Sequence, residues 1–307
     1  MADETNAKQY SWLSDTARDY VERGATERIA FIRAEHFVVH PQMQRALIAM
    51  DYIFTQPRKR RMECLHIGGP SGTGKTILTK HFLRRNNIPT EQDGFNVRTR
   101  NGIASVITAD LSGIASESDF YRCIADGCID RDNTALRYSA DGLFRIIKNR
   151  GSHLLLIDEA DRIAELPKVP QRDILAQIKR LTNTFEMGLV LLGTRKLDAL
   201  LNSEDTLRHR FIPDVQLTPL SDLGQLRAFV VNLAKRMPLR SAPTIDNAKC
   251  IRVIFENTGG RQPNVSGLIR RAAIHALVQG GESLNSEVLS AGIADPYLHA
   301  APGGIDE

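Results

Sequence analysis

The sequence predicts a three-layer α/β domain, a parallel sheet between two layers of helices, followed by a small all-helical domain. Three observations predict it. Short apolar runs alternate with stretches of helical periodicity between residues 42 and 218. One run leads into a glycine-rich loop that opens a helix, and a later run ends in two carboxylates. Beyond Pro219 the apolar runs stop, and every periodic stretch is helical.

The elements follow in order. Thr16–Glu35 reads as a helix of mixed charge, and His36–Pro41 as a break. Gln42–Thr55 reads as a helix with Met43, Leu47, Met50 and Phe54 on one stripe. Met62–Gly68 is a short strand, and the helix after the glycine-rich loop runs from Thr76 to Arg85. Gln92–Gly102 is polar and carries Asp93-Gly94 and Asn101-Gly102 turn signals. Ile103–Ala109 reads as a strand, and Ser118–Cys128 and Ser139–Asn149 as helices. The apolar run within 152–161 is a buried parallel strand, Pro167–Phe185 a long helix, Gly188–Thr194 a further strand and Phe211–Leu217 a last one. Leu223–Met237, Asp246–Asn257, Pro263–Val278 and Ser286–Leu289 read as helices. The expected division is an N-terminal helical arm at 1–41, a three-layer αβα domain at 42–218, a helical domain at 219–294 and a loose tail at 295–307.

The glycine-rich loop carries the chemistry. Gly69, Pro70, Ser71, Gly72, Thr73, Gly74, Lys75 and Thr76 match G-x-x-x-x-G-K-[ST], a Walker A phosphate loop, with Ile77 continuing into the helix. Its glycines let successive N–H groups point into one concavity, and the helix N-terminus adds to that anion site. Lys75 supplies a point charge for the β/γ-phosphates, and Thr76 a hydroxyl for Mg²⁺. Asp158-Glu159 closes the apolar run Leu154–Ile157 as a Walker B element: Asp158 for Mg²⁺, Glu159 as the base that polarises the attacking water. Thr194 ends the next strand, where an ATPase of this kind senses the terminal phosphate; a plain strand-end threonine is the alternative. Leu207–Phe211 holds two arginines that could reach a neighbouring subunit's nucleotide, Arg210 first and Arg208 second; a surface ion pair is the alternative. Arg261 stands at a helix entrance opened by Pro263, either facing the nucleotide from the second domain or simply capping a turn. The expected ligands are ATP and Mg²⁺.

Composition narrows the class. The 307 residues are 42% apolar and 25% charged, as in an ordinary globular protein, and no apolar run reaches membrane-spanning length. The acidic start Met1–Thr5 predicts no secretory leader. Cys64, Cys123, Cys128 and Cys250 form no C-x-x-C pair, and the histidines form no H-E-x-x-H, so reduced thiols and no further metal are expected. The net charge of +4 does not argue for nucleic acid by itself, but Arg58–Arg61, Arg84-Arg85, Arg98 and Arg100 form local basic clusters.

Together these motifs resemble the AAA+ ATPases over roughly Gln42 to Gly292. Within that class the chain resembles the TniB family of bacterial transposition ATPases. The similarity lies in Glu27–Arg33, Arg60-Arg61-Met62, Ser118–Arg122 and Thr258-Gly259 leading to Leu268–Ala273. The resemblance implies a cytoplasmic bacterial protein that assembles with itself, as a ring or filament, on duplex target DNA when ATP is bound. It implies a DDE transposase of the TniA kind and a TniQ-type targeting protein as partners. Hydrolysis through Glu159, with Arg210 acting in trans, would then disassemble the oligomer. Arg98, Arg100 and Arg122 are the expected DNA-phosphate contacts, with the Arg58–Arg61 run a weaker candidate. A replication-initiation or clamp-loading ATPase, or a secretion or protein-remodelling ATPase, is the alternative.

Overall fold

A parallel strand covered on both faces must be apolar along its whole length, because successive side chains point to opposite sides. Leu154–Asp158 and Gly188–Gly193 obey that rule and form the centre of the sheet. The computed structural model describes residues 9–86, 88, 106–127, 142, 143, 147 and 152–294. It divides into two compact units, Pro41–Leu217 and a second drawn from Met1–His40 with Thr218–Glu307. The segment read as an N-terminal arm therefore belongs with the C-terminal helices.

Toward the N-terminus lie α1 (Asp15–Val21) and α2 (Ala25–Arg33). One helix is expected there; Gly24, extended at φ −60° and ψ 156°, interrupts it and becomes the N-cap of α2.

The sheet-containing unit comprises α3 (Pro41–Thr55), β1 (Cys64–Gly68), α4 (Lys75–Arg85), β2 (Val106–Asp110), α5 (Glu117–Asp126), β3 (Leu154–Asp158), α6 (Arg162–Glu165), α7 (Lys168–Thr184), β4 (Gly188–Gly193), α8 (Arg195–Asn202), α9 (Asp205–Arg208) and β5 (Val215–Gln216). Strand order is β2-β3-β4-β1-β5, and every pairing is parallel. Gly68 faces Gly193 and Asp110 faces Asp158, so the carboxyl ends of the strands share one edge. In open parallel sheets that edge is where ligands bind. Helix α3 packs on β1, β4 and β5, α5 on β2 and α8 on β1. On α3, Met43, Leu47 and Met50 are buried as the stripe predicts, whereas Phe54 is half-buried, edge-on to Phe82 and stacked on His153.

The last predicted strand is shorter than expected. Phe211 bridges Cys64, but regular pairing resumes only at Val215, because Pro213 has no N–H to donate. Helix α8 was not expected from the sequence. Residues 89–105 lie outside the described residues, as does most of the expected helix 139–149, of which 142, 143 and 147 are helical.

The helical unit adds α10 (Leu223–Ala234), α11 (Ala248–Thr258), α12 (Gln262–Val278) and α13 (Ser286–Ala294). Asp222 caps α10 by accepting from the Gln225 N–H, and Asn247 caps α11 by accepting from that of Cys250, each worth about 1 kcal/mol. Ile32 and Val38 enter the same core as Phe229, Ile254, Leu268 and Ile269. Arg28 is 2% exposed; its guanidinium donates to both oxygens of Glu282, at 3.0 and 2.6 Å, and to the Pro238 carbonyl. Burial raises the Glu282 pKa, but hydrogen bonds from Arg28 and the Arg240 N–H outweigh it and hold the carboxyl below its ordinary value.

Arg28→Ala should therefore destabilise the helical unit by about 2–4 kcal/mol, because it removes the charged hydrogen bonds to Glu282 and to the Pro238 carbonyl, while Arg240 stays on the Glu282 carboxylate. Trp12, the one tryptophan, packs in the Tyr10–Leu13–Val21 cluster of that unit, so denaturant unfolding followed by its fluorescence measures the change. The depressed Glu282 contributes stability above the ordinary glutamate range and loses it as pH falls through the folded pKa. The acid limb of the stability curve should shrink in the variant. A loss below about 1 kcal/mol would mean that Arg28 does not hold this unit together.

Candidate functional site

The phosphate loop leaves β1 at Gly68 and is fixed at both ends. The Gly69 N–H donates to the Gly193 carbonyl at 3.1 Å, and the Thr73 hydroxyl to the Pro70 carbonyl at 2.9 Å. Gly69 has φ +156°, and a Cβ there would lie 2.3 Å from the Leu217 carbonyl oxygen, so only glycine fits. Gly74, at φ +85°, is the N-cap of α4. Pro70 and Ser71 are exposed at the mouth of the loop and Ile77 is half-buried in α4. The largely buried Lys75 ammonium donates to the carbonyls of Gly69 at 2.8 Å and Pro70 at 3.0 Å. Burial lowers its pKa, and the charges of Asp158, Asp161 and Glu159 work against that shift.

The two halves of the site meet at one hydrogen bond. The Thr76 hydroxyl donates to Asp158 Oδ2 at 2.6 Å, while Asp158 Oδ1 accepts from the Glu159 N–H at 2.9 Å. A hydroxyl oxygen beside a carboxylate is a hard-donor set, and it fits Mg²⁺. The glycine cradle and Lys75 fit a polyphosphate. Glu159 sits in the left-handed region at φ +53°, which costs a non-glycine residue about 1–2 kcal/mol. Its carboxylate is half-exposed, with Oε2 3.5 Å from Arg162 Nε; Arg162 also bonds Glu165 at 2.9 Å.

Thr194 caps the start of α8, and its hydroxyl donates to Asp161 Oδ2 at 2.8 Å. Asp161, 6% exposed, is a site residue that the sequence reading missed. The available signal was its place as the fourth residue of Asp158-Glu159-Ala160-Asp161, although its meaning depends on β3 lying beside β4.

Both arginines considered for action between subunits have partners in their own chain. Arg210 Nη1 donates to Thr182 Oγ1 at 3.0 Å and Asn183 Oδ1 at 2.6 Å. Arg208 forms a two-bond pair with Asp214, 3.1 Å on each side. Asp214 also lies 3.7 Å from Nδ1 of the fully buried His66, which is 3.0 Å from Asp198 Oδ1. Burial raises the Asp214 pKa, but His66 and Arg208 outweigh it and leave the carboxyl below its usual range. This network ties β1 to α8 and to the segment before β5.

Further arginines were expected at the nucleotide or on DNA. Arg122 is on α5 and pairs with Asp119 at 2.9 Å. Arg261 is the exposed N-cap of α12 in the helical unit. Arg98 and Arg100 lie outside the described residues. In the Arg58–Arg61 run, Lys59 is 3.4 Å from Glu63, and Arg60 and Arg61 are exposed.

Comparison with known proteins adds a family and a fold. The family profile described as "Bacterial TniB protein" matches residues 28–219. No curated protein matches the chain in sequence. Among solved structures, the chain is similar to the Aeropyrum pernix ORC1 protein in complex with DNA, with TM-score 0.59 and 17% identity over 87% of this chain and 68% of that one. It is similar to Cdc6p from Pyrobaculum aerophilum, with TM-score 0.60 and 16% identity over 86% and 70%. It is also similar to the Thermotoga maritima RuvB Holliday junction branch migration motor, with TM-score 0.53 and 17% identity over 90% and 76%. At this identity the likeness establishes the AAA+ P-loop ATPase fold. Among the described residues, no helix is long and apolar enough to cross a membrane.

Gly69→Ala should lower the melting temperature, through about 1–3 kcal/mol of backbone strain and a clash with Leu217. Gly113→Ala, where a Cβ would meet nothing within 4 Å, should not. Equal melting of the two variants would show that the loop does not need its backbone geometry for stability.

Proposed function

The chain belongs to the bacterial TniB family, and from that premise we propose that it is an ATPase that assembles on duplex DNA with ATP bound and presents that DNA to a transposase. The observation that carries the ATPase half is the Thr76–Asp158 hydrogen bond beside Glu159, because it joins the phosphate loop to the carboxylate strand in one site. The DNA half rests on family membership and on the basic clusters.

In this reading the loop N–H groups and Lys75 bind the phosphates of ATP. Thr76 and Asp158 hold Mg²⁺, which when bound neutralises phosphate charge. Glu159 takes a proton from the attacking water as general base, its half-exposed carboxylate lying at the sheet edge. Thr194 is the group at the end of β4 that faces the reacting centre. Arg210, or secondarily Arg208, serves the nucleotide of a neighbouring subunit after leaving its present partners. ATP drives assembly only through a higher affinity for the assembled state, so its hydrolysis reverses assembly. The partners are a second copy of this chain, duplex target DNA, a DDE transposase of the TniA type and a TniQ-type protein, and the setting is the bacterial cytoplasm. DNA contact goes to phosphates through exposed arginines such as Arg122, and is tolerant of sequence.

Binding to random-sequence duplex DNA, with ATP, a non-hydrolysable analogue or ADP, across a salt series, tests the proposal. Affinity should require the triphosphate and fall linearly with log salt, by roughly tenfold or more between about 50 and 200 mM. Glu159→Gln should keep ATP-dependent binding but release DNA far more slowly than the parent chain. DNA binding indifferent to nucleotide, or none at all, would sink the transposition reading and favour a protein-remodelling ATPase.

A further inference from the structure

Beyond its charge acting on Lys75, the buried carboxylate of Asp161 has no chemical role assigned in the site. It is 6% exposed at the start of α6, and its Oδ2 accepts the Thr194 hydroxyl proton at 2.8 Å. Among the described residues, its Oδ1 has no hydrogen-bond partner. The carboxylate fits there because residue 193 is glycine: a Cβ on Gly193 would stand 3.0 Å from Asp161 Oδ1 and 3.1 Å from its N–H nitrogen. The surrounding backbone fixes the pair, since the Ala160 N–H donates to the Leu192 carbonyl at 2.9 Å and the Leu197 N–H to the Thr194 carbonyl at 2.9 Å. A half-satisfied carboxylate buried in a fold core is costly. At a site that handles protons it has a use.

A hydroxyl has one proton and two lone pairs. A carboxylate only accepts, so Thr194 spends its proton on Asp161 and turns lone pairs alone toward the reaction space. A group in that state cannot donate to a phosphate oxygen; it can accept an O–H from water. We propose that Asp161 is a positioning residue that sets the polarity of Thr194, so that Thr194 and Glu159 both act as acceptors for the attacking water. This rests on the ATPase reading above and assigns it a residue and a direction. Two acceptors take up both protons of a water molecule and leave its lone pair free for phosphorus. The phosphate charge is then met by Lys75, the loop N–H groups and Mg²⁺, not by Thr194.

The test is steady-state phosphate release, with KM for ATP and fluorescent-nucleotide affinity measured alongside, for the parent chain, Asp161→Asn, Thr194→Val, Thr194→Ser and the Asp161→Asn/Thr194→Val double variant. Asp161→Asn and Thr194→Val should each lower kcat by on the order of 10² while leaving KM and nucleotide affinity within about threefold. The double variant should be no slower than either single, and Thr194→Ser should retain most of the parent rate. Multiplying defects in the double variant, an equal loss of nucleotide affinity, or kcat within twofold in Asp161→Asn would each overturn the assignment. A melting curve reports whether Asp161→Asn folds; if it does not, Thr194→Val against Thr194→Ser carries the test, and equal kcat in those two overturns it. A parent chain that binds nucleotide but never releases phosphate removes the ATPase reading and this role together. A turning-over parent with an unaffected Asp161→Asn removes this role alone.

Discussion

The site depends on a single contact, from the Thr76 hydroxyl to the Asp158 carboxylate at 2.6 Å. Thr76 is fixed by the first turn of α4, which begins where Gly74 turns into the left-handed region. Asp158 is fixed by the end of β3, and β3 reaches β1 only through β4. The contact therefore reports that three strands have paired in the right order and in register. A one-residue slip of β3 against β4 would turn Asp158 to the other face of the sheet and part the two halves. The same register places Gly193 opposite Gly68; a Cβ on Gly193 would crowd the Asp161 carboxylate, and one on Gly68 the Gln216 side chain of β5.

Much of this was legible in the sequence, because its causes are local. Glycines at 69, 72 and 74 encode a loop geometry through their own sterics, and apolar runs ending in Asp158-Glu159 and Thr194 encode buried strands with polar ends. What was not legible depends on partners far along the chain. The inward hold on Arg210 comes from Thr182 and Asn183 in the last turn of α7, and nothing within Leu207–Phe211 announces it. Asp161 acquires meaning only when β4 brings Thr194 beside it. His66 interrupts an otherwise apolar strand, and its partners Asp198 and Asp214 lie on α8 and before β5. Arg28 meets Glu282 across 254 residues, which is why the N-terminal helices read as an arm when they belong to the helical unit.

These long-range contacts also separate stability from chemistry. Arg28, the helix caps and the aliphatic core hold the helical unit together. The sheet-containing unit keeps its polar groups at one edge and tolerates a strained Glu159 there. The charges of Asp158, Asp161 and Glu159 all act on Lys75 against the effect of its burial, which joins the loop electrostatically to the β3 end.

A double-mutant cycle on Mg²⁺-dependent ATP affinity, using Thr76→Val, Asp158→Asn and the pair, tests that unity most directly. The account predicts that either substitution removes nearly all of the Mg²⁺ dependence and that the pair loses little more, a coupling of about 1–3 kcal/mol. Independent, multiplying losses would contradict it, because they would mean that the phosphate loop and the carboxylate strand do not share one ion.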